Sequence, residues 1–303
     1  MLTEARAAGA APRRDTADPW RTVLGSLTAA ELRDRPWLVV SDFDGTISRI
    51  GQAPRIVPLA QRSLRRLAKI PGVEVVLLSG RTALDLVTLT RIGGATYLGN
   101  HGLETGFLPR GGRAERLVVV ADRTHDAFRA DAERLALAVP AAVGEPWLIV
   151  ENKVPAVTFW FRAAPDIPGA SRRVRDVIDE LDPAGRFERF PGRLAIELRP
   201  PGAIAKRDAF AALLRERRPA VALLIGDDRH DAEAFGVLRT ERAAGHVAGL
   251  AVAVHTHPDV SPAVAAEADA LLASPAETAR LLSGLARALA SAAAPVPRPG
   301  RRG

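Results

Sequence analysis

The chain contains no cysteine. That absence removes disulfides, thiolate metal sites and cysteine nucleophiles in one step. Long apolar runs are missing too: none approaches the roughly 18 to 20 residues that cross a bilayer. Residues 1–17, rich in Ala and Arg, lack the apolar centre of a secretory signal. A cytoplasmic protein with no membrane partner is the expectation. Aromatics make up only 5% of the 303 residues, and although the net charge is +7, the arginines are spread along the chain rather than interleaved with stacking rings. Nucleic acid is therefore not expected as a partner. Lysine is scarce as well: of 42 basic residues only Lys69, Lys153 and Lys206 are lysines. A chain that writes Arg almost everywhere keeps Lys where a compact, rotatable ammonium is needed.

What is present is organised around Trp37–Ile47. Trp37 to Val40 is a continuous apolar run of the kind that forms a strand covered on both faces of a parallel α/β sheet, and it leads straight into Asp42 and Asp44. Ligands of such sheets collect at the carboxyl ends of strands. Gly45 lets the backbone turn away there. The pattern recurs. Val73–Leu78 predicts a second buried strand, ending in Ser79-Gly80-Arg81 before a helix from Ala83 to Leu89. Ser79 there is either a helix cap or part of an anion site at free N–H groups. Ala95–Leu98 predicts a third strand, followed by Asn100 and His101, and Val221–Ile225 a fourth, followed by Asp227, Asp228 and Asp231. Leu250–Val254 and Ala270–Leu272 read as final strands. Lys206 falls in the first turn of a helix predicted over Ile204–Arg215, where the helix dipole disfavours a cation.

Between these segments the pattern changes to α-β-β-α-β-β. Helices are predicted over Asp122–Val139 and Gly169–Leu181, and strands over Trp147–Val150, Ala156–Phe161, Phe187–Phe190 and Leu194–Leu198. That order suits a small antiparallel sheet covered by two helices. Its aromatic residues, Trp147, Phe159, Trp160, Phe161, Phe187 and Phe190, are expected to be core. The resulting division is a disordered tail over 1–17, an α/β core over 18–116 with N-terminal helices capped at Asp18 and Thr28, and an inserted α+β domain over 117–199. The core resumes over 200–291, and 292–303 is a second disordered tail.

Asp42, Asp44, Ser79, Lys206, Asp227, Asp228 and Asp231 thus gather at one sheet edge. Crowded carboxylates repel one another unless a hard cation sits among them, and an all-oxygen set favours Mg²⁺. A cation with Ser79 and Lys206 makes an electropositive cup for a phosphoryl group. Asp42 can accept that group as an acyl phosphate, and Asp44 can protonate a poor alkoxide leaving group and later deprotonate water. A dehalogenase would not need that second acid.

Asp42-Phe43-Asp44-Gly45-Thr46, Ser79-Gly80-Arg81, Lys206 and Gly226-Asp227-Asp228-x-x-Asp231 resemble, in order, the four motifs of the haloacid dehalogenase-like (HAD) phosphatase superfamily. Gly99-Asn100-His101-Gly102-Leu103-Glu104, Glu151-Asn152-Lys153 with Arg162, and Glu197-Leu198-Arg199-Pro200 are similar to the trehalose-6-phosphate phosphatases within it. The resemblance implies a Rossmann-like HAD core with a C2-type cap as its insertion. It implies Mg²⁺ held by Asp42, Asp44 through its carbonyl, and Asp227, with Asp228 and Asp231 at the same site. Ser79, Gly80 and Lys206 would bind phosphate, and Arg81, Asn100, His101, Glu151, Lys153, Arg162 and Glu197 the sugar. For His101 a structural role, and for Glu151 and Lys153 a solvated hairpin, remain the alternatives. His230 and Ala232 depart from the Thr and Glu usual in the last motif. The implied reaction is hydrolysis of trehalose 6-phosphate, with a trehalose-phosphate synthase as the suggested protein partner; the sequence is silent on oligomeric state, and a monomer is favoured. A phosphatase of sucrose phosphate, mannosyl-phosphoglycerate or a monosaccharide phosphate is the nearest alternative. A phosphotransferase and a non-catalytic phosphosugar-binding module are the others.

Overall fold

The computed structural model describes residues 18–50, 54–191, 194–255 and 262–293. Helices α1 (Pro19–Gly25) and α2 (Ala29–Arg33) lead into β1 (Trp37–Ser41), α3 (Pro58–Leu67), β2 (Val73–Leu78), α4 (Ala83–Thr90), β3 (Ala95–Gly99), β4 (Glu104–Leu108) and β5 (Val119–Ala121). Next come α5 (Arg129–Val143), β6 (Ile149–Asn152), β7 (Val157–Trp160), α6 (Ile167–Leu181), β8 (Glu188–Pro191) and β9 (Ala195–Arg199). The last third holds α7 (Lys206–Arg217), β10 (Val221–Gly226), α8 (Arg229–Ala243), β11 (Ala248–Val254), α9 (Pro262–Glu267), β12 (Ala270–Leu272) and α10 (Pro275–Ala293). No described helix is long and apolar enough to cross a membrane.

Strands β12-β11-β10-β1-β2-β3-β4-β5 make one eight-stranded sheet, parallel from β12 to β3 and antiparallel at β4 and β5. β1 sits between β10 and β2, with helices on both faces, which is why its sequence is apolar without alternation. Its odd residues Trp37 and Val39 pack with Leu64 of α3, Leu86 of α4 and Leu285 of α10. Its even residues Leu38 and Val40 pack on the other side with Phe210 of α7 and Phe235 of α8. Each such side chain contributes about 1.5–3 kcal/mol by leaving water, so the strand whose end carries Asp42 is among the best-anchored in the molecule.

The second sheet is antiparallel, in the order β6-β7-β9-β8. Residues alternate along its strands. Phe159, Phe161, Ile196 and Leu198 bury themselves against Leu135 and Val139 of α5 and Val174 and Ile178 of α6. The residues between them belong to the opposite face, which is turned toward the carboxyl ends of the large sheet.

Three boundaries differ from the sequence reading. Val119–Ala121, expected in the insertion, pair with β4 as the outermost strand of the large sheet. The helix expected from Asp122 begins at Arg129, because the Asp122 carboxylate accepts hydrogen bonds from the Thr124 amide and hydroxyl at 2.7 and 2.5 Å. Such local side-chain bonds compete with a helix start. Ala292 and Ala293, expected in the C-terminal tail, close α10; the rest of that tail, and the N-terminal one, lie outside the described residues.

Candidate active site

The floor of the site is set by strand register. Ser41, the last residue of β1, lies opposite Leu77 of β2 and Ile225 of β10. Asp42, Ser79 and Asp227 therefore leave the sheet at one level. The Asp42 amide still donates to the Ile225 carbonyl at 2.9 Å, which fixes the carboxylate at the edge. Gly45 follows with φ +75°, and a Cβ there would lie 2.0 Å from Asp227 Oδ2. Only glycine lets the chain turn so close to that carboxylate.

Lys206 opens α7 and is 1% exposed. Its Nζ donates to Asp42 Oδ1 at 2.9 Å and to Asp231 Oδ1 at 2.8 Å, which explains a lysine at an unfavourable helix end. Burial opposes its charge, but Asp228, Asp231 and Asp42 hold the ammonium well above its ordinary range. The acids respond in the opposite sense. Burial pushes Asp42 up to about 6 against the pull of Lys206. Burial and Asp228 raise Asp231 well above a usual carboxyl. Asp42, Asp227 and Asp231 bring one oxygen each to within 4.8 Å of one another. One ammonium does not balance three such carboxylates, so the all-oxygen set fits a hard divalent cation.

Asp44 points to a different partner. Arg81 grips it with a fork, Nε to Oδ2 at 2.5 Å and Nη2 to Oδ1 at 2.9 Å. At the end of β3 the chain turns through two left-handed residues, Asn100 and His101, with φ of 48° and 59°. That turn carries the His101 ring over Gly80, where a Cβ would meet it at 2.9 Å.

The roof is the free face of the small sheet. Glu151, Thr158, Glu197 and Phe190 are cross-strand neighbours in one row. Glu197 is buried yet fully partnered: it accepts from Lys153 Nζ at 3.0 Å and from Thr158 Oγ1 at 3.4 Å, and its other oxygen meets His101 Nε2 at 3.1 Å. Despite burial, Lys153 and His101 hold Glu197 well below the usual carboxylate range. Burial outweighs Glu197 at His101 itself, pushing that imidazole down to about 4. Between floor and roof lies a cavity of about 350 Å³ lined by Asp42, Asp44, Ser79, Gly80, Arg81, His101, Glu151, Lys153, Arg162, Glu197, Lys206, Asp227 and Asp228. That volume suits a small-molecule ligand.

Residues 40–273 match the trehalose-phosphatase family. The chain belongs to that family. A trehalose-phosphate phosphatase of Mycobacterium tuberculosis strain H37Rv is 29% identical over 270 residues, which cover 84% of this chain and 62% of that relative's length. Among solved structures, the C-terminal domain of the Candida albicans trehalose-6-phosphate phosphatase superposes with a TM-score of 0.68 at 21% identity, over 88% of this chain and 96% of that one. The C-terminal domain of the Candida albicans trehalose synthase regulatory protein does so with 0.60 at 13% identity, over the same shares. Both likenesses concern the fold, a mainly parallel α/β sheet with a smaller antiparallel sheet inserted. A phosphatase and a regulatory protein share it, so fold alone does not assign chemistry.

Of the family residues expected here, all but two reach the cavity wall. Asn100 is fully buried and its amide donates to the Lys153 carbonyl at 3.1 Å, tying core to insertion rather than facing a ligand. Asp231 lies behind the wall, accepting the Asp227 and Asp228 amides at 3.0 and 3.1 Å. Asp228, expected among the metal ligands, is outside the carboxylate trio; it caps α8 by accepting the Asp231 amide at 2.9 Å. Trp160 and Phe190, expected as core, line the cavity together with Thr158 and His230. The period of two in Val157–Arg162 carries the missing signal, since it puts Thr158, Trp160 and Arg162 on the face opposite Phe159 and Phe161.

Proposed function

We propose that this chain is a Mg²⁺-dependent phosphatase that hydrolyses trehalose 6-phosphate through an aspartyl-phosphate intermediate. The observation that carries the reading is one cavity with Asp42, Asp227 and Lys206 at its floor, backed by Asp231, and Glu151, Lys153 and Glu197 at its roof. The floor suits a phosphoryl group and the roof suits sugar hydroxyls.

In the first half of the reaction an Asp42 carboxylate oxygen attacks phosphorus, and the bond from phosphorus to the sugar oxygen breaks. Asp44, protonated at this stage, gives its proton to that oxygen. Lys206 and Ser79 stabilise the charge that spreads over the phosphoryl oxygens. In the second half water attacks phosphorus, Asp44 takes the water's proton, and the bond to Asp42 breaks to release phosphate. The Arg81 fork on Asp44 is suited to this half, in which Asp44 is ionised. Asp42, the Asp44 carbonyl and Asp227 would hold Mg²⁺, with Asp231 behind them; when bound, the ion supplies charge neutralisation at the phosphoryl group and keeps the crowded carboxylates ionised. The insertion shields the floor from bulk water while the sugar ester is bound.

The deciding experiment is phosphate release from a panel of sugar phosphates, with and without Mg²⁺, with Asp42→Asn as the blank. A strong preference for trehalose 6-phosphate is expected. Hydrolysis of another ester instead would keep the chemistry and discard the sugar; no release from any ester by folded, Mg²⁺-loaded protein would discard both.

A further inference from the structure

The roof has a second row. Two residues further from the core along the same strands, Ile149, Trp160 and Ala195 are cross-strand neighbours, as Glu151, Thr158 and Glu197 are in the first row. Direction along the strands gives the order. β9 reaches the core through Arg199, and β6 reaches it through Lys153, whose carbonyl receives Asn100. Glu197 and Glu151 are thus the inner row and Ala195 and Ile149 the outer one. Residues two apart on an antiparallel strand are separated by about 7 Å, which is of the order of one sugar ring to the next.

The two rows differ in chemistry. The inner row is polar and tied into His101 and Lys153. The outer row is apolar: Ile149 is 54% exposed, and the half-buried Trp160 lines the cavity beside Ala195. Trp160 is also held in place from two sides. Its indole N–H donates to Glu151 Oε2 at 3.0 Å, and the Arg162 guanidinium lies 4.1 Å from its ring centroid. An exposed large apolar side chain is ordinary by itself. An aromatic ring fixed by a carboxylate and a guanidinium, one row outward from hydroxyl-binding groups, is a surface for the apolar C–H face of a sugar.

Resting on the phosphatase reading, we infer that Trp160 is a specificity-determining residue: it seats the outer ring of a disaccharide phosphate, while the inner row and the floor take the phosphorylated ring. The site then selects disaccharide esters over monosaccharide esters by an aromatic platform rather than by hydroxyl contacts alone.

The test uses the full chain with Mg²⁺ and two readouts. For Trp160→Ala, the ratio of kcat/KM for trehalose 6-phosphate to that for glucose 6-phosphate is expected to fall about tenfold, through KM. Trp160→Phe keeps a ring and is expected to restore most of that ratio. The second readout needs no turnover: trehalose, with glucose as control, is expected to shift the tryptophan emission of the wild type and to leave that of Trp160→Phe unchanged. A ratio in Trp160→Ala within about twofold of the wild type overturns the inference, and so does a trehalose-induced shift that persists in Trp160→Phe. If the wild type hydrolyses no ester while trehalose still shifts Trp160 emission, the phosphatase reading falls and the disaccharide seat stands. Normal hydrolysis with no emission shift removes the seat and leaves the phosphatase.

Discussion

The floor and the roof of the cavity solve the same problem, holding charge out of water, in opposite ways. The floor crowds like charges. Asp42 and Asp231 are both pushed up by burial and by their acidic neighbours, and one lysine answers them. The roof interleaves unlike charges: Lys153 Nζ lies 3.0 Å from Glu197 and 3.8 Å from Glu151, and Glu197 is held well below the usual carboxylate range although it is almost fully buried. A floor built that way is short of positive charge and ready to take a cation. A roof built that way is closed on itself, and a ligand there must offer hydroxyls that substitute for bonds already made. On the proposed reading, that difference puts phosphate and metal on one side and neutral sugar on the other.

Substitutions that exchange these characters test the contrast. Asp42→Asn removes the acceptor without changing its volume, and turnover is expected to fall at least about a thousandfold; phosphate release checks it, and near-normal activity with intact fold would take the nucleophile role from Asp42. Lys206→Met leaves the buried acids uncompensated, with an expected loss of about 3–5 kcal/mol of stability. Urea unfolding without added metal reads this, and a smaller loss once Mg²⁺ is added would show the ion doing part of the lysine's work. On the roof, Glu197→Gln is expected to raise KM for trehalose 6-phosphate about tenfold with a much smaller change in kcat. An equal fall in kcat would move Glu197 from sugar binding to the chemistry.

The remaining effect concerns His101, which stands at the boundary between the two. Burial lowers it from 6.5 to about 4, opposed by Glu197 and assisted by Arg199 and Lys153. Between those values the unfolded chain binds a proton that the folded chain does not. His101 therefore costs stability as pH falls through 6.5 toward 4, by at most about 1.4 kcal/mol per pH unit, and costs nothing above 6.5. Urea midpoints measured from pH 7 to pH 4.5 should fall less steeply for His101→Asn than for the wild type. Parallel curves would mean that His101 titrates normally.

The floor was legible in the amino-acid sequence because each of its groups is local to a strand end or a helix start. An apolar run stopping at Asp42, another at Ser79 and a third at Asp227 declare both strand and edge, and parallel pairing brings such edges together whatever the strand order. The roof was legible only in part. Glu151, Lys153 and Glu197 were found through family likeness. Trp160 and Phe190 read as core in the sequence, because an aromatic in a strand reads as core until its facing is known. The same limit applied at Val119–Ala121, whose three residues carry no sign of which sheet they join.

By itself, the sequence determined the parallel core, the acid-rich edge and the absence of thiol chemistry, since these depend on residue type and on periodicity along one segment. Tertiary structure decided the rest. It put Asn100 behind the wall and Asp228 on a helix cap, locked Asp44 to Arg81, and turned Trp160 toward the cavity. Each of those outcomes depends on which strand pairs with which, and in what register. In an antiparallel sheet a shift of one residue exchanges the two faces. That choice is made by the helices α5 and α6 burying Phe159 and Phe161, and the cavity receives the residues between them.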